Sequence, residues 1–538
     1  MKALLENKTL QILLGIIGII ITGVLMTHGL KNAMDIYFLD ETSYLVRGTK
    51  MFGAIPKRWG PLYCAWYRIL FVVENNLVDL FYLNYKLMAV IPSALLFAAL
   101  TKYSKSVVWP LFMALCFLIS SFNLTVDPKI SFFCISLIFG VLYLSSYIKD
   151  NGYKTLLFLS TALLLSFARP EFYMSFMLTF GAGILLLVLK KISLEKKYVL
   201  PVIAFLLVAI VLHLGLGNPL LMKIDGHNRS IIAFGEHFAY NYSKWTNTDL
   251  YTWLAWEEIY KSNFGNADGI VAAMQANAGM FWKHIFTNTK GFFTELFSLI
   301  TSLIIPFKLG VKAKVIIGIL ISLTALASII SNFKKVLQLE LMFLFLISIP
   351  TLISCILVYP RNHYLVLLIP LIAMLLITST DFIKEQKSTV TIASSFLLIA
   401  MFSFLTPRAS DFKYFEMRKD EGVLNNQMAV ELFKSVQLPQ TVSMLSNEGD
   451  FSEFAKKKIQ WIVPSSKKDT DFIAFLNSEE PDVIYLTQSI FKNPYYANDE
   501  SWLTFLNNYE NYGYEKLLLD SDIREYFLIK STLLKYFK

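Results

Sequence analysis

Two adjacent carboxylates, Asp40 and Glu41, stand in the stretch "YFLDETSYL", shortly after the first long apolar run of the chain ends. The aromatic neighbours Tyr37, Phe38 and Tyr44 place this pair at a membrane interface rather than in bulk water. Partial burial and a close like charge both raise the pKa of a carboxylate, and a carboxylate tuned in this way suits general-base work on a hydroxyl. The pair therefore predicts acid–base chemistry at the edge of a membrane.

Positive charge follows in the same loop and recurs in three others. Lys57 and Arg58 lie in "GAIPKRWGPLYCAWYRI", and guanidinium groups of this kind neutralise anionic leaving groups such as phosphate. The other loops, "NLTVDPKI", "FARPEFY" and "YPRNHYLVLLIP", contribute Lys129, Arg169, Glu171, Arg361, His363 and Tyr364. Such residues often only snorkel at helix ends, but charges gathered on one side of a membrane usually line a site.

The elements that must position these residues are apolar helices. The chain has 538 residues, of which 55% are hydrophobic and 17% are charged, against about 25% charged in soluble proteins. Apolar runs of about 15 to 22 residues alternate with short polar segments, which is typical of a polytopic α-helical membrane protein. The net charge of +9 comes largely from lysines in short loops, which is the positive-inside pattern. No basic stripe with interleaved aromatics exists, so no nucleic-acid partner is predicted.

The loop charges predict a cytoplasmic N-terminus, with an uncleaved first helix and with loops 31–80 and 217–290 outside. The run 291–307 decides the number of crossings. If it lies in the interface there are about eleven, and if it spans there are about twelve. Eleven is preferred, because this run is short and contains Glu295.

We expect the chain to divide into residues 1–407, a transmembrane catalytic domain, and residues 408–538, a small soluble α/β domain outside the membrane. The second part becomes polar, and its short β-like runs alternate with helical segments such as "DTDFIAFLNSE". The β-like runs are "TVSMLS", "IQWIVP", "DVIYLT", "YEKLLLD" and "YFLIKS". This domain contains no G-x-G-x-x-G and no P-loop, so no nucleotide site is predicted there.

The outer loop 217–290 contains His227, Arg229 and His237 among aromatic residues, which suits contact with a sugar or an acceptor. The two histidines are ten residues apart, which is no established ligand spacing, and the four cysteines form no C-x-x-C motif. We therefore predict neither a metal nor another cofactor.

The chain resembles the GT-C superfamily of membrane glycosyltransferases, in particular the group of protein O-mannosyltransferases and lipid A aminoarabinose transferases. The resemblance covers roughly residues 1–406. "LDETSY" is similar to the acidic pair that follows helix one in that group, and "GPLYCAW" is similar to a later element of the same loop. "PRNHYLVLLIP" is similar to a late basic-aromatic element, with looser spacing, and "ARPEF" looks like a recurring outer-loop element.

This resemblance implies a reaction and a place for it. The donor would be a polyprenyl-phosphate-linked sugar, and the acceptor an extracytoplasmic glycolipid, polysaccharide or protein. Transfer would invert the anomeric centre at the outer face of the cytoplasmic (inner) membrane. Asp40 would act as base and Glu41 would orient the acceptor or bridge to a cation. The phosphate candidates are Arg58, Arg169 and Arg361, followed by Lys129 and His363. The residues proposed for contact in the substrate loops are Lys57, Tyr44, Glu171, Tyr364, His227, Arg229 and His237.

Three other interpretations stay open. An O-antigen or capsule polymerase would share the many helices, the large outer loop and the lipid-linked substrates. A transporter of lipid-linked sugars would show charged or Gly/Pro-broken helix centres, and these are sparse here. In a non-catalytic scaffold the acidic pair would have no chemical role.

Overall fold

The computed structural model describes most of the chain. The described residues are 8–51, 60–192, 195–219, 223–224, 227–248, 252–306, 309–331, 339–379, 388–409, 425–438, 441–464, 470–491, 493–497, 499–519 and 525–537. All structural statements below refer to these residues.

The described part of residues 1–219 is helical. Its helices are α1 (Lys8–Met26), α2 (Leu30–Ala33), α3 (Asp40–Thr49), α4 (Pro61–Val73), α5 (Leu77–Tyr103), α6 (Val108–Ile119), α7 (Ile130–Ser145), α8 (Asn151–Ala168), α9 (Phe172–Val188) and α10 (Val199–Leu216). Several starts have a clear cause. The Asn76 side chain accepts a hydrogen bond from the N–H of Val78 at the start of α5, and Asp150 does the same for two N–H groups at the start of α8. Such caps satisfy N–H groups that the first helical turn leaves without partners.

The middle of the chain continues with helices and one short pair of strands. They are β1 (Lys223–Ile224), β2 (His227–Asn228), α11 (Arg229–Thr246), α12 (Thr252–Phe264), α13 (Ile270–Ala276), α14 (Ala278–Ser302), α15 (Val311–Ser331), α16 (Leu339–Leu357), α17 (Asn362–Leu365), α18 (Ile369–Ser379) and α19 (Ser388–Leu405). The described part of the predicted loop 217–290 is therefore largely helical. Residues 291–302 are the second half of the continuous helix α14 rather than a separate element.

Six helical segments among the described residues are long and apolar enough to cross a membrane, which fits a membrane-embedded protein. They are Lys8–Met26, Leu77–Tyr103, Lys196–Leu216, Val311–Ile330, Leu339–Leu357 and Asn362–Ser379. Five shorter apolar helices accompany them, namely Pro61–Val73, Val108–Ile119, Ile130–Ser145, Phe172–Val188 and Val390–Leu405. The count of about eleven crossings stays a prediction.

The C-terminal part contains a five-stranded sheet with short helices. Its elements are α20 (Asn425–Ser435), β3 (Val442–Leu445), α21 (Phe451–Ala455), β4 (Ile459–Ile462), α22 (Phe472–Glu479), β5 (Val483–Leu486), α23 (Gln488–Phe491), α24 (Pro494–Ala497), α25 (Glu500–Asn507), β6 (Tyr514–Leu518), β7 (Tyr526–Lys530) and α26 (Ser531–Leu534). The strand order is β4-β3-β5-β7-β6, parallel among the first three strands and antiparallel in the last two pairings. Each of the five predicted β-like runs coincides with one strand.

Candidate active site

Helix α3 carries the acidic pair in its first turn and separates the two carboxylates. Asp40 is exposed, whereas the Glu41 residue is only 2% exposed. Consecutive residues of a helix point about 100° apart, so one faces the protein while its neighbour faces outward. Both acids lie near the helix N-terminus, where negative charge is favourable. Helix α3 therefore leaves Asp40 exposed and buries Glu41, so the burial expected of the pair applies to Glu41.

Glu41 is the centre of a closed polar cluster. Its Oε1 accepts hydrogen bonds from Tyr63 Oη (2.7 Å), from Tyr67 Oη and from Asn84 Nδ2 (2.8 Å). Its Oε2 accepts one from the backbone N–H of Lys129 (2.7 Å). We call Glu41, Tyr63, Tyr67 and Asn84 the Glu41 cluster. These four donors join α3 to α4, to α5 and to the loop before α7, so the carboxylate has a structural role in this arrangement.

Burial raises the pKa of Glu41, and the nearby charge of Asp127 raises it further. Hydrogen bonds from Tyr67, Tyr63 and the Lys129 backbone oppose this shift. The predicted role of Glu41 in orienting an acceptor is not supported by these contacts, because its acceptor sites face protein donors. Its predicted bridge to a cation is replaced by a bond to a backbone N–H.

Lys129 is completely buried, and its ammonium group is occupied. Its Nζ donates to the carbonyl oxygens of Asn123 (2.7 Å) and Leu124 (3.0 Å). It also lies over the rings of Tyr85 (4.8 Å) and Phe132 (4.3 Å). These contacts fold the loop 120–129 onto the start of α7. They do not support the predicted role of Lys129 as a phosphate ligand.

A cavity of about 520 Å³ lies where several apolar helices end. This volume is in the usual range for small-molecule sites. Its walls come from three separate parts of the chain and are partly charged. The lining residues are Thr125, Val126, Asp127, Gly291, Glu295, Tyr359, Pro360, Arg361, Asn362 and His363. We call it the Arg361 cavity.

Asp127 supplies a carboxylate to the Arg361 cavity, and it is held by Tyr85, whose hydroxyl donates to Asp127 Oδ1. Burial raises the pKa of Asp127, the Tyr85 hydrogen bond and the charges of Lys129 and Arg361 lower it, and the charge of Asp40 raises it. Asp40 and Arg361 therefore both act electrostatically on Asp127. Asp40 therefore influences Asp127, although it is not one of the residues that line the cavity.

Arg361 precedes α17 and is half-buried, so its guanidinium keeps contact with the cavity. Its Cζ lies 4.5 Å from the ring centroid of Trp253, a cation–π geometry that fixes the direction of the side chain. His363, which is 6% exposed, lines the same cavity. The basic-aromatic element "PRNHY" therefore places two predicted phosphate candidates at one site.

Arg169 contacts the cavity residue His363 through Tyr364. Its Nε pairs with Glu171 Oε1 at 2.5 Å, its Nη1 donates to Ser131 Oγ at 2.8 Å, and its guanidinium lies over the ring of Tyr364 at 4.7 Å. The Tyr364 ring in turn contacts His363, with ring centroids 4.3 Å apart. Arg169 is only 4% exposed. The His363 side of the cavity is therefore supported by Arg169, Glu171 and Tyr364.

His237 on α11 contacts the site indirectly. Its Nδ1 donates to the carbonyl of Ala233 (2.6 Å), and its ring stacks on Tyr359, which lines the cavity, at 5.7 Å. Burial lowers the pKa of His237 to about 3, and the charge of Arg361 adds to this effect. His237 is therefore a neutral aromatic support for Tyr359 rather than a cation.

The remaining predicted residues divide into two groups. Tyr44 is buried on α3 and packs edge-on against Tyr63 (5.4 Å), so it belongs to the core rather than to an open substrate loop. Lys57 and Arg58 lie outside the described residues, as do the side chains of His227 and Arg229. Their roles stay predictions.

Sequence reasoning gave no role in the site to two carboxylates that line the cavity. Asp127 stands in the Asp-Pro step before α7, and Glu295 stands in the middle of an apolar run on α14. An acid inside an apolar run was the available signal for Glu295, because such residues usually mark a site. Among the described residues, no group of three or more His, Cys, Asp or Glu side chains could hold a metal ion.

Comparison of the chain with protein-family models and with curated proteins finds no match.

Proposed function

We propose that this chain is a membrane glycosyltransferase that moves a sugar from a polyprenyl-phosphate carrier to an extracytoplasmic glycolipid, polysaccharide or protein. One observation carries the proposal. Charged residues from loops that are distant in sequence meet at the Arg361 cavity, at the ends of apolar helices, where a lipid-linked phosphate could reach them from the bilayer. The proposal includes a GT-C-like arrangement of about eleven membrane crossings, with this cavity at the extracytoplasmic side of the cytoplasmic membrane.

In this proposal Asp40 and the cations of the cavity have separate roles. The acceptor oxygen attacks the anomeric carbon of the sugar, and its proton passes to the carboxylate of Asp40. The bond between the anomeric carbon and the phosphate oxygen breaks, and its electron pair stays on the departing polyprenyl phosphate. Attack opposite to the leaving group inverts the anomeric centre. Guanidinium groups suit the departing anion, since they bind phosphate oxygens with two N–H groups.

Arg361 is the residue that we assign to this phosphate, with His363 beside it. It is half-buried, lines the cavity and lies over the ring of Trp253. Arg169 is a weaker candidate, because Glu171 and Ser131 already occupy its donors. Asp127 lines the same cavity, and its pKa is raised by the charge of Asp40 and lowered by that of Arg361.

The test compares envelope glycans and glycolipids by mass spectrometry in three strains. One lacks the protein, one is complemented with it, and one is complemented with Asp40→Asn. Asp79→Asn is the matched control, because Asp79 is a partly exposed carboxylate that does not line the cavity. Its Oδ1 lies 2.9 Å from Nζ of Lys31. Loss of one defined sugar in the first and third strains, but not in the control, is the expected result.

Two outcomes would replace the proposal. A change in chain length without a change in sugar composition would favour a polymerase. Accumulation of an unchanged lipid-linked sugar in the cytoplasmic leaflet would favour a transporter.

A further inference from the structure

The C-terminal domain contacts the segment that carries the acidic pair. The first contact is the buried carboxylate of Asp35. It accepts hydrogen bonds from the backbone N–H groups of Asn426 (2.8 Å) and Gln427 (2.9 Å), in the first turn of α20. The side chain of Asn426 returns a hydrogen bond to the carbonyl of Ile36 (2.7 Å). A carboxylate is thus the cap of a helix that lies almost 400 residues away.

The second contact is aromatic, and it lies closer to the acidic pair. Phe38 meets the rings of Phe451 and Phe454 edge-on, with centroids 5.8 Å and 5.3 Å apart. All three side chains are buried. Aromatic pairs of this geometry add about 0.5 to 1.5 kcal/mol to the burial of the rings. Phe38, which stands two residues before Asp40, is therefore fixed partly by α21.

The third contact acts on α3 itself. Asp450 Oδ2 accepts hydrogen bonds from Ser43 Oγ (2.9 Å) and Thr42 Oγ1 (3.1 Å), the residues directly after the acidic pair. At the other end of α3, Lys50 pairs with Glu453 at 2.5 Å. The domain therefore contacts the helix at both ends.

Helix α3 needs such contacts. It has ten residues, its N-cap is Leu39, and no side chain caps its first turn. A helix of this length is marginal in water by itself, so its position depends on packing. The Glu41 cluster holds one face, and Asp450 holds the neighbouring hydroxyl groups.

We infer that the C-terminal domain positions the acidic helix for the reaction, and that Asp450 is the positioning residue through which it does so. The inference rests on the proposed function for its effect on transfer, but the contact itself can be tested separately. Asp450 does not touch the cavity. It acts through Ser43 and Thr42 on the direction of Asp40.

The test uses hydrogen exchange of the full-length protein in detergent, followed by mass spectrometry of the peptide that covers residues 40–49. Asp450→Ala removes the acceptor, and Asp482→Ala is the matched control. Asp482 also accepts from a serine, Ser443 Oγ at 3.0 Å, but within the C-terminal domain. Loss of a hydrogen bond to a charged group changes the equilibrium constant for local opening by roughly tenfold. We expect exchange of this peptide to be about tenfold faster in Asp450→Ala and unchanged in Asp482→Ala.

A second readout is transfer by the same variants. We expect Asp450→Ala to lower kcat about tenfold with little change in KM for the donor, because binding of the phosphate does not involve α3. The double variant Ser43→Ala, Thr42→Val should lower kcat similarly. Adding Asp450→Ala to it should lower kcat no further, because the three residues form one set of hydrogen bonds and their effects are not additive.

Unchanged exchange of residues 40–49 in Asp450→Ala would overturn the inference whatever the activity. Faster exchange with normal kcat would overturn the link between the domain and the reaction. If exchange is faster in Asp450→Ala but the wild-type protein transfers no sugar, the contact is confirmed and the proposed function is rejected.

Discussion

The Glu41 cluster and the Arg361 cavity contain similar residues and differ in what surrounds them. In the cluster, four protein donors occupy both oxygens of Glu41. In the cavity, Asp127 and Arg361 line about 520 Å³ of space. A buried carboxylate with all its hydrogen bonds made stabilises a fold, whereas charges beside an open volume have capacity left for a ligand. The acidic pair contributes Glu41 to the cluster, whereas Asp40 is exposed and acts electrostatically on Asp127 of the cavity.

The largest expected effect separates the two members of this pair. Asp40→Asn should lower transfer by about 10² to 10⁴-fold, the usual contribution of a general base, while the protein stays folded. Transfer would be measured as release of polyprenyl phosphate from the lipid-linked donors of the native membranes. Near-normal release from Asp40→Asn, with Asp79→Asn as reference, would remove Asp40 from the mechanism.

Arg361 tests the cavity itself. Arg361→Gln should lower kcat by about 10² to 10³-fold, because a charge that stabilises the departing phosphate is lost. Arg361→Lys keeps the charge but loses the two-pronged geometry, so it should recover only part of the rate. Equal rates for Arg361→Gln and the wild type would show that the phosphate binds elsewhere.

Glu41 should affect stability more than chemistry. Glu41→Leu leaves the hydroxyls of Tyr63 and Tyr67 without their carboxylate acceptor, which costs about 1 to 3 kcal/mol for each group left unsatisfied, whereas the Asn84 amide keeps the two hydroxyl oxygens as acceptors. Glu41→Gln keeps the shape and one acceptor oxygen, and should cost less. The measurement is the apparent Tm in detergent together with the rate per folded molecule. A stable Glu41→Gln protein without any transfer would move Glu41 from the structural cluster to the reaction.

A smaller effect is expected from pH. Burial raises the pKa of Asp127, so its carboxyl takes up a proton at a higher pH than an ordinary aspartate does. Once protonated, it no longer attracts Arg361, and transfer should fall as the pH drops through this raised pKa. Asp127→Asn is neutral at every pH, and its lower rate should lack this acid limb. An unchanged acid limb in Asp127→Asn would assign the titration to another group.

The sequence predicted the general architecture well. Long apolar runs fix apolar helices, since backbone groups in lipid must pair within their own segment. The five β-like runs predicted the five strands, because each is short, apolar and bounded by polar or turn residues. The mixed order of the sheet could not be read from the runs, since the pairing of β5 with β7 depends on contacts between distant parts of the chain.

The site was predicted less completely. Residue type and order singled out Arg361 and His363, which line one cavity. They could not show that Lys129 turns back to the carbonyls of its own loop, or that Glu41 meets two tyrosines from α4. Those outcomes depend on packing between helices, which a linear pattern of charges does not encode.

The central claim is that the reaction takes place in the Arg361 cavity, and chemical blockage of that cavity tests it most directly. Asn362 lines the cavity and is exposed, and all four native cysteines are buried. A bulky maleimide would be attached to Asn362→Cys in membranes and, as the control, to Ser435→Cys on the exposed face of α20. The account predicts that labelling of Asn362→Cys abolishes release of polyprenyl phosphate while labelling of Ser435→Cys does not. Full release from completely labelled Asn362→Cys would contradict it.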